Sequence, residues 1–219
     1  MDSEIKVDNR NLSEQIYLYL KNKIVNNVLK PGERIDYNEI SKELGVSKTP
    51  LRDALHLLQR DGLVEVRSRS GTFVNIPRAK DIEEIFDIRK ALEKQAIETA
   101  IKRIPKQVLE ELLANAETAE KAIDAGDFQT FFASDRHLHK TLVKYSNNQR
   151  LIKIMESLEA QIAWIGVIIA KTSERPRQAN ESHIQIIHAL LDGDTKHAQH
   201  LMEKHIEEIK QMTLHDFQN

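Results

Sequence analysis

One aspartate and three histidines in the C-terminal part of this sequence have residue types and positions that could bind a metal ion. Asp135 precedes His139 by four residues, so both lie on one face of a predicted helix, and that face is otherwise apolar. His183 and His205 also fall on the apolar faces of the helices predicted around them. Because a carboxylate that is buried without a cationic partner is destabilising, this set of side chains requires a metal ion or a basic group.

Each of these histidines could instead be an ordinary core residue that forms a hydrogen bond. For a single buried histidine that alternative is the more common one, whereas three histidines together with an aspartate favour a shared ion. The other histidines of this region differ, because His137, His197 and His200 have mostly polar neighbours at helical spacing. His215 lies close to the last residue, and His188 is ambiguous.

A further candidate for chemistry is Arg89, which shares the apolar face of its predicted helix and therefore points toward the core. A guanidinium group offers parallel N–H donors that suit a carboxylate. That carboxylate could belong to a bound ligand, or to Glu93 or another acid in an internal ion pair. The residues leave both alternatives open.

The elements that must position these side chains are long amphipathic helices in a region without any strand pattern. We predict six helices, at about residues 81–103, 106–125, 127–146, 149–172, 177–192 and 194–216. Proline residues separate two pairs of them, and each of the joints 125–127 and 192–194 has a glycine to end one helix and an aspartate to begin the next. Six helices with short joints predict an all-α antiparallel bundle over residues 77–219.

Residues 1–76 have a different pattern, which predicts a helix-turn-helix followed by a β-hairpin. The first ten residues are polar, and we expect them to be mobile. The predicted elements are helices at about 12–25, 37–44 and 47–63, and strands at 63–66 and 72–76. Gly45 ends the second helix and Ser47 begins the third, so the two helices are separated only by a short turn. A hairpin that follows such a helix pair is a wing, and the chain is therefore predicted to be mainly α, with a winged helix-turn-helix before the bundle.

The third helix has a small polar face at its N-terminal end, where helix-turn-helix proteins contact bases. The residues that we expect to contact DNA are Lys48, Thr49 and Arg52 on this helix and Arg67, Arg69 and Gly71 in the hairpin. The whole chain has a net charge of −2, so DNA binding depends on this local concentration of cations and not on a generally basic surface.

The composition excludes several other classes of protein. The sequence has no cysteine, which excludes disulfide bonds and thiol chemistry and fits a reducing compartment. Its longest apolar run, residues 162–170, is much shorter than the roughly 20 residues that a membrane-spanning helix needs. We therefore expect a cytoplasmic protein without a membrane partner.

The N-terminal residues resemble the winged helix of GntR-type transcription regulators. The matching segments are LKPGER at 29–34, LGVSKTPLRDAL at 44–55 and DGLV at 61–64. This resemblance implies a DNA-binding regulator that acts as a homodimer on a near-palindromic double-stranded operator. The sequence departs from a common family pattern at Lys48 and Asn38, where arginines are frequent.

The bundle resembles the FCD-type ligand domain of the FadR branch of this family, in its six-helix form. The matching segments are DRHLH at 135–139, ESH at 181–183, MEKH at 202–205 and DIRKALE at 87–93. In the metal-binding members these motifs supply an aspartate and three histidines, here Asp135, His139, His183 and His205. The resemblance implies one divalent transition metal per chain, with Zn²⁺ expected first and Ni²⁺, Mn²⁺ or Fe²⁺ as alternatives.

Open coordination positions on such an ion could take the carboxylate of a small organic acid, which Arg89 would also contact. The resulting hypothesis is a repressor, rather than an activator, whose operator affinity depends on this acid. Two alternatives remain: a regulator that senses the metal itself, and a metal-dependent enzyme. The enzyme is the weaker alternative, because no general base accompanies the site and an enzyme would not explain the winged helix.

Overall fold

The computed structural model describes residues 9–169 and 174–218. The chain divides into two compact units, Met1–Pro77 and Arg78–Asn219. The boundary predicted from the sequence, between residues 76 and 77, lies one residue earlier. The described residues form nine α-helices and three short β-strands, so the mainly helical fold class is confirmed. Within the same residues, no helix has the length and apolar character needed to cross a bilayer.

The N-terminal unit consists of three helices and a small antiparallel sheet. Its elements are α1 (Asn9–Val25), β1 (Arg34–Ile35), α2 (Tyr37–Leu44), α3 (Lys48–Arg60), β2 (Val64–Arg67) and β3 (Gly71–Val74). The strand order is β1-β3-β2, and β2 with β3 forms the expected wing. The strand β1 was not predicted, because two residues are too few to show alternation. The helix α1 already includes Asn9 and Arg10, which we had expected to be mobile, and residues 1–8 lie outside the described part of the chain.

Local sequence accounts for the geometry of the helix-turn-helix. The Asp36 side chain accepts hydrogen bonds from the first backbone N–H groups of α2, and Gly45 ends that helix at φ 65°. Ser47 occupies the N-cap position of α3 as predicted, but its side chain makes no capping hydrogen bond. The stripe of α3 that includes Leu51 and Leu55 is buried, which leaves the opposite face exposed.

The C-terminal unit contains six helices with short joints, as predicted. They are α4 (Ala79–Ala100), α5 (Lys106–Asp124), α6 (Phe128–Tyr145), α7 (Gln149–Ile169), α8 (Glu174–Leu191) and α9 (Thr195–Gln218). The described ends differ from the predicted ones by at most three residues, and residues 170–172 of the predicted fourth helix lie outside the description. The helix α8 begins before Pro176, not after it, because the first turn of a helix tolerates proline.

Two aspartates begin helices as the sequence predicted. Asp127 accepts hydrogen bonds from the backbone N–H groups of Gln129 and Thr130 at the start of α6. Asp194 accepts one from the backbone N–H of His197 at the start of α9. Capping of this kind fixes where a helix begins, and hence which residues lie on its buried face.

The helices α4 and α9 lie side by side over much of their length. Ion pairs join their exposed edges, including Lys90 to Glu207 and Lys94 to Glu203, each at 2.6 Å. On the inner side their apolar residues belong to the main core cluster. This packing brings the buried face of α4 next to the part of α9 that contains His205.

Candidate metal centre and DNA-binding surface

The structure brings together the four residues proposed as metal ligands. Asp135 and His139 project from α6, His183 from α8 and His205 from α9, and one potential ligand atom of each lies within 4.8 Å of the others. The Nε2 atoms of His183 and His205 are 3.2 Å apart. The Oδ1 atom of Asp135 lies 3.5 Å from Nε2 of His183 and 3.7 Å from Nε2 of His139. Ligand atoms around one tetrahedral Zn²⁺ at bond lengths of about 2.1 Å lie roughly 3.4 Å apart, so these separations fit a single ion.

The three histidines of this cluster are buried, with His139, His183 and His205 only 6%, 1% and 2% exposed. Burial lowers the pKa of His183 to about 3, against an opposing effect of Asp135. Burial and the neighbouring His183 also lower the pKa of His205. Both imidazoles are therefore neutral near pH 7, which is the form that binds metals.

Nitrogen atoms of the cluster also lack hydrogen-bond partners. Nε2 of His139 is buried and forms no hydrogen bond within the described residues. The two Nε2 atoms of His183 and His205 face each other, although a neutral imidazole carries a proton on only one of its two nitrogens. A buried polar atom without a partner is unfavourable, so the donor chemistry of the cluster fits a cation at its centre.

A fifth residue, Glu93 on α4, supports the cluster from outside. It is 1% exposed, and its Oε2 atom forms a hydrogen bond with Nδ1 of His139. Burial opposes ionisation, yet the neighbouring His139 and Arg89 together lower the pKa of Glu93 to about 2. The ionised carboxylate keeps a proton on Nδ1 of His139, so the Nε2 lone pair faces the cluster.

From the sequence, Glu93 is predictable as a partner for Arg89, but its contact with His139 is not. The available signal was that Glu93 is an acid on the apolar face of its predicted helix, one turn after Arg89. That signal did not identify His139 as a partner, because Glu93 and His139 are 46 positions apart in sequence and only helix packing brings them together.

Arg89 is 5% exposed and forms the internal ion pair that was one of its two alternatives. Its Nε atom donates to Oε1 of Glu93 at 2.6 Å. The same side chain also lines the cavity beside the cluster, so the ion pair and a ligand contact are compatible.

This cavity has a volume of about 470 Å³, which is within the usual range of small-molecule sites. Asp135, His139 and His205 lie in its wall, and so do aromatic side chains such as Phe131 and Phe132. Most of the exposed surface of the cavity is apolar, although nine charged residues also contribute to its lining. A small organic molecule in this cavity would therefore have access to the potential metal ligands.

The remaining histidines of the bundle point outward. His137, His197, His200 and His215 are exposed, and the ambiguous His188 is exposed as well. The structure thus separates three buried histidines from five at the surface of this unit.

In the N-terminal unit, the helix residues expected to contact DNA are exposed. Lys48, Thr49 and Arg52 lie together in the first part of α3, and their side chains point away from its buried stripe. This places a basic face at the N-terminal end of the second helix of the helix-turn-helix, where base contacts are usual.

The three wing residues expected to contact DNA differ in their contacts and backbone conformation. Arg69 is exposed at the hairpin tip with φ 62°. Arg67 instead pairs with Glu65 at 2.5 Å and lies over the Phe73 ring, 4.4 Å from its centroid. Gly71 has φ 120°, and a Cβ atom there would lie 3.2 Å from Nε of Arg34. The positive φ favours glycine at this position, and a larger residue would also require a small shift of the Arg34 side chain.

Comparisons with known proteins match both units of the chain. The family described as bacterial regulatory proteins, gntR family, matches residues 12–74, and the FCD domain family matches residues 84–208. The chain is similar to an uncharacterized HTH-type transcriptional regulator, YdhC, of Bacillus subtilis (strain 168), with 30% identity over 87% of this chain and 92% of the relative. It is also similar to the HTH-type transcriptional repressor RspR of Escherichia coli (strain K12), with 26% identity over 91% of this chain and 88% of the relative.

Solved structures share the fold. McbR/YncC of E. coli superposes with a TM-score of 0.81 at 24% identity, covering 95% of this chain and 99% of that one. The Zn²⁺-bound FCD domain of TM0439 superposes with a TM-score of 0.56 at 20% identity, covering 65% of this chain and 98% of that one.

Proposed function

We propose a function for this chain, which belongs to the gntR family of bacterial regulatory proteins and carries an FCD domain. In this proposal, a small carboxylic acid bound at a metal ion controls the affinity of the protein for an operator. The chain is a DNA-binding transcription regulator and not an enzyme. The observation that carries the proposal is the convergence of Asp135, His139, His183 and His205 at the wall of a cavity large enough for a small acid.

These four residues would hold one divalent transition metal per chain. A set of three imidazoles and one carboxylate suits Zn²⁺, and would also accept Ni²⁺, Mn²⁺ or Fe²⁺. The Zn²⁺-bound state of a structural neighbour supports the choice of zinc. When bound, the metal would supply a Lewis acid to which a carboxylate could bind.

The protein's own residues would prepare this site. Glu93 orients His139 by holding the proton on its Nδ1 atom, and Arg89 in turn holds Glu93. The Arg89 guanidinium also lines the cavity, where its remaining N–H groups would donate to the carboxylate of the effector. The predominantly apolar wall would exclude water and strengthen these charged contacts.

The regulator would act as a cytoplasmic homodimer on a near-palindromic double-stranded operator, and we propose that it represses. Lys48, Thr49 and Arg52 would enter the major groove, because the N-terminal residues of the second helix reach base edges in this motif. Arg67, Arg69 and Gly71 of the wing would contact the adjacent DNA. A named repressor among the relatives supports repression over activation.

The test is an operator-binding titration in which metal and acids are added separately to the full-length protein. We expect small carboxylic acids to change operator affinity in zinc-loaded protein and to have no effect after chelation. His183→Ala should abolish the response, whereas His200→Ala, a change at an exposed histidine of the same unit, should keep it.

Other outcomes point elsewhere. A change in operator affinity on adding metal alone, with no further effect of any acid, would show a metal-sensing regulator. A protein that responds to neither metal nor acid would contradict the proposal.

A further inference from the structure

Arg136 on α6 is a half-buried cation that lines the same cavity. It was not among the residues that the sequence analysis assigned to the site. Within the described residues it forms no hydrogen bond and no ion pair. A guanidinium group in a predominantly apolar wall normally has an anionic partner, so this one needs an explanation.

The other arginines and one of the lysines in the cavity wall are already paired. Arg89 pairs with Glu93 at 2.6 Å, Lys140 with Glu159 at 2.6 Å, and Arg175 with Asp216 at 2.7 Å. Each of these cations is therefore neutralised by an acid of this chain. Among the described arginines that line the cavity, Arg136 is the one that forms no ion pair.

Helix packing explains why Arg136 has no acidic partner. It lies one turn from Lys140 on α6, and Lys140 is paired across to Glu159 of α7. Because α6 and α7 are antiparallel neighbours, one turn back along α6 corresponds to one turn forward along α7, which leads from Glu159 to Ala163. Ala163 and Gly166 both line the cavity, and neither supplies a charge.

We propose that Arg136 binds a second anionic group of the effector, so that the effector is a dicarboxylic acid. One carboxylate would bind at the cluster that contains Asp135, and the other would accept hydrogen bonds from the Arg136 guanidinium. The first of these contacts rests on the proposed function. Asp135 and Arg136 are adjacent on α6 and both line the cavity, so one small ligand could contact the cluster and the guanidinium together.

The test compares acids of equal chain length on the zinc-loaded, full-length protein by isothermal titration calorimetry. The dicarboxylates are succinate, glutarate and adipate, and the matched monocarboxylates are butyrate, valerate and hexanoate. We expect at least one dicarboxylate to bind roughly 10- to 100-fold more tightly than its matched monocarboxylate, as a charged hydrogen-bonded contact would provide.

In Arg136→Gln this preference should fall to about twofold or less, while the affinity for monocarboxylates stays unchanged. Arg150→Gln, at an exposed arginine of α7 outside the cavity, should bind like the wild type. Removal of zinc by the acids themselves would affect the wild type and Arg136→Gln equally, because both have the same cluster.

The outcomes separate this proposal from the one on which it rests. Equal binding of matched mono- and dicarboxylates, or a preference that survives in Arg136→Gln, would overturn the role of Arg136 and leave the metal-supported acid site intact. If none of the six acids bound the zinc-loaded protein, the proposed acid site would fail, and the second contact would fail with it.

Discussion

Removal of the metal should destabilise the C-terminal unit, because the cluster joins three separate helices. Asp135 and His139 belong to α6, His183 to α8 and His205 to α9, so an ion bound by all four would link α6, α8 and α9. The unfolded chain presents no preformed site, since three segments that are distant in sequence supply the ligands. The binding free energy therefore adds to the free energy of unfolding.

The size of this effect follows from mass action. A free metal concentration 100 times the dissociation constant stabilises the folded state by about 2.7 kcal/mol, and 1,000 times by about 4.1 kcal/mol. In a unit of this size each kcal/mol corresponds to about 3–4 °C in melting temperature. We expect a chelator to lower the melting temperature by roughly 8–16 °C, and added Zn²⁺ to restore it.

The assay is differential scanning calorimetry of the wild type and two variants, each with chelator and with Zn²⁺. His183→Ala should melt at nearly the same temperature in both conditions, because it lacks a ligand. His137→Ala, at an exposed histidine of α6, should keep the full difference. If the buried histidines were only core residues, His183→Ala would be less stable than the wild type, but neither protein would respond to chelator. That result, or a purified wild type that contains no metal and ignores added divalent ions, would refute the reasoning.

Three further predictions concern the support of the cluster, its protonation and the DNA-binding face. Glu93→Gln should weaken zinc binding roughly 10- to 100-fold in a competition assay with a chelating dye, because His139 loses its ionised acceptor; an exposed Glu83→Gln on the same helix should not. In metal-free protein, stability measured by urea unfolding should decrease as pH falls from about 6.5 toward 3, because unfolded histidines take up protons that folded His183, with a pKa of about 3, excludes; a profile that is flat over this range would contradict the burial argument. Arg52→Ala should lose roughly 1–3 kcal/mol of operator binding by fluorescence anisotropy, and Arg60→Ala at the far end of α3 should lose less; equal affinities of Arg52→Ala and wild type would show that the helix docks differently.

Much of the fold was predictable from the sequence, because the relevant signals are local. The joint at Gly126 and Asp127 fixes the end of α5 and the start of α6 through a positive φ and a side-chain cap, and both act within a few residues. Periodicity likewise placed Leu51 and Leu55 inside and Arg52 outside. For the same reason, the four potential metal ligands could be selected as inward-facing residues before their separations were known.

The tertiary structure decided what depends on contacts between distant segments. The two residues of β1 become a strand only because β3 pairs with them, and the Arg34 side chain lies over Gly71 as a result. Glu65 and Arg67 share one face of β2 by their spacing in the sequence, but only the pairing of β2 with β3 places Arg67 over the Phe73 ring.

The same limit applies to the site. The spacing of Arg89 and Glu93 predicted that they could pair, since both lie on one helix four residues apart. That Glu93 also holds His139, and that Arg136 lines a cavity without forming an ion pair within the described residues, depend on how α4 and α7 pack against α6. The sequence thus determined which side chains point inward, because this follows from the backbone period of each helix. Only packing determined which of them meet, because the distance between two helices is set by the side chains of both.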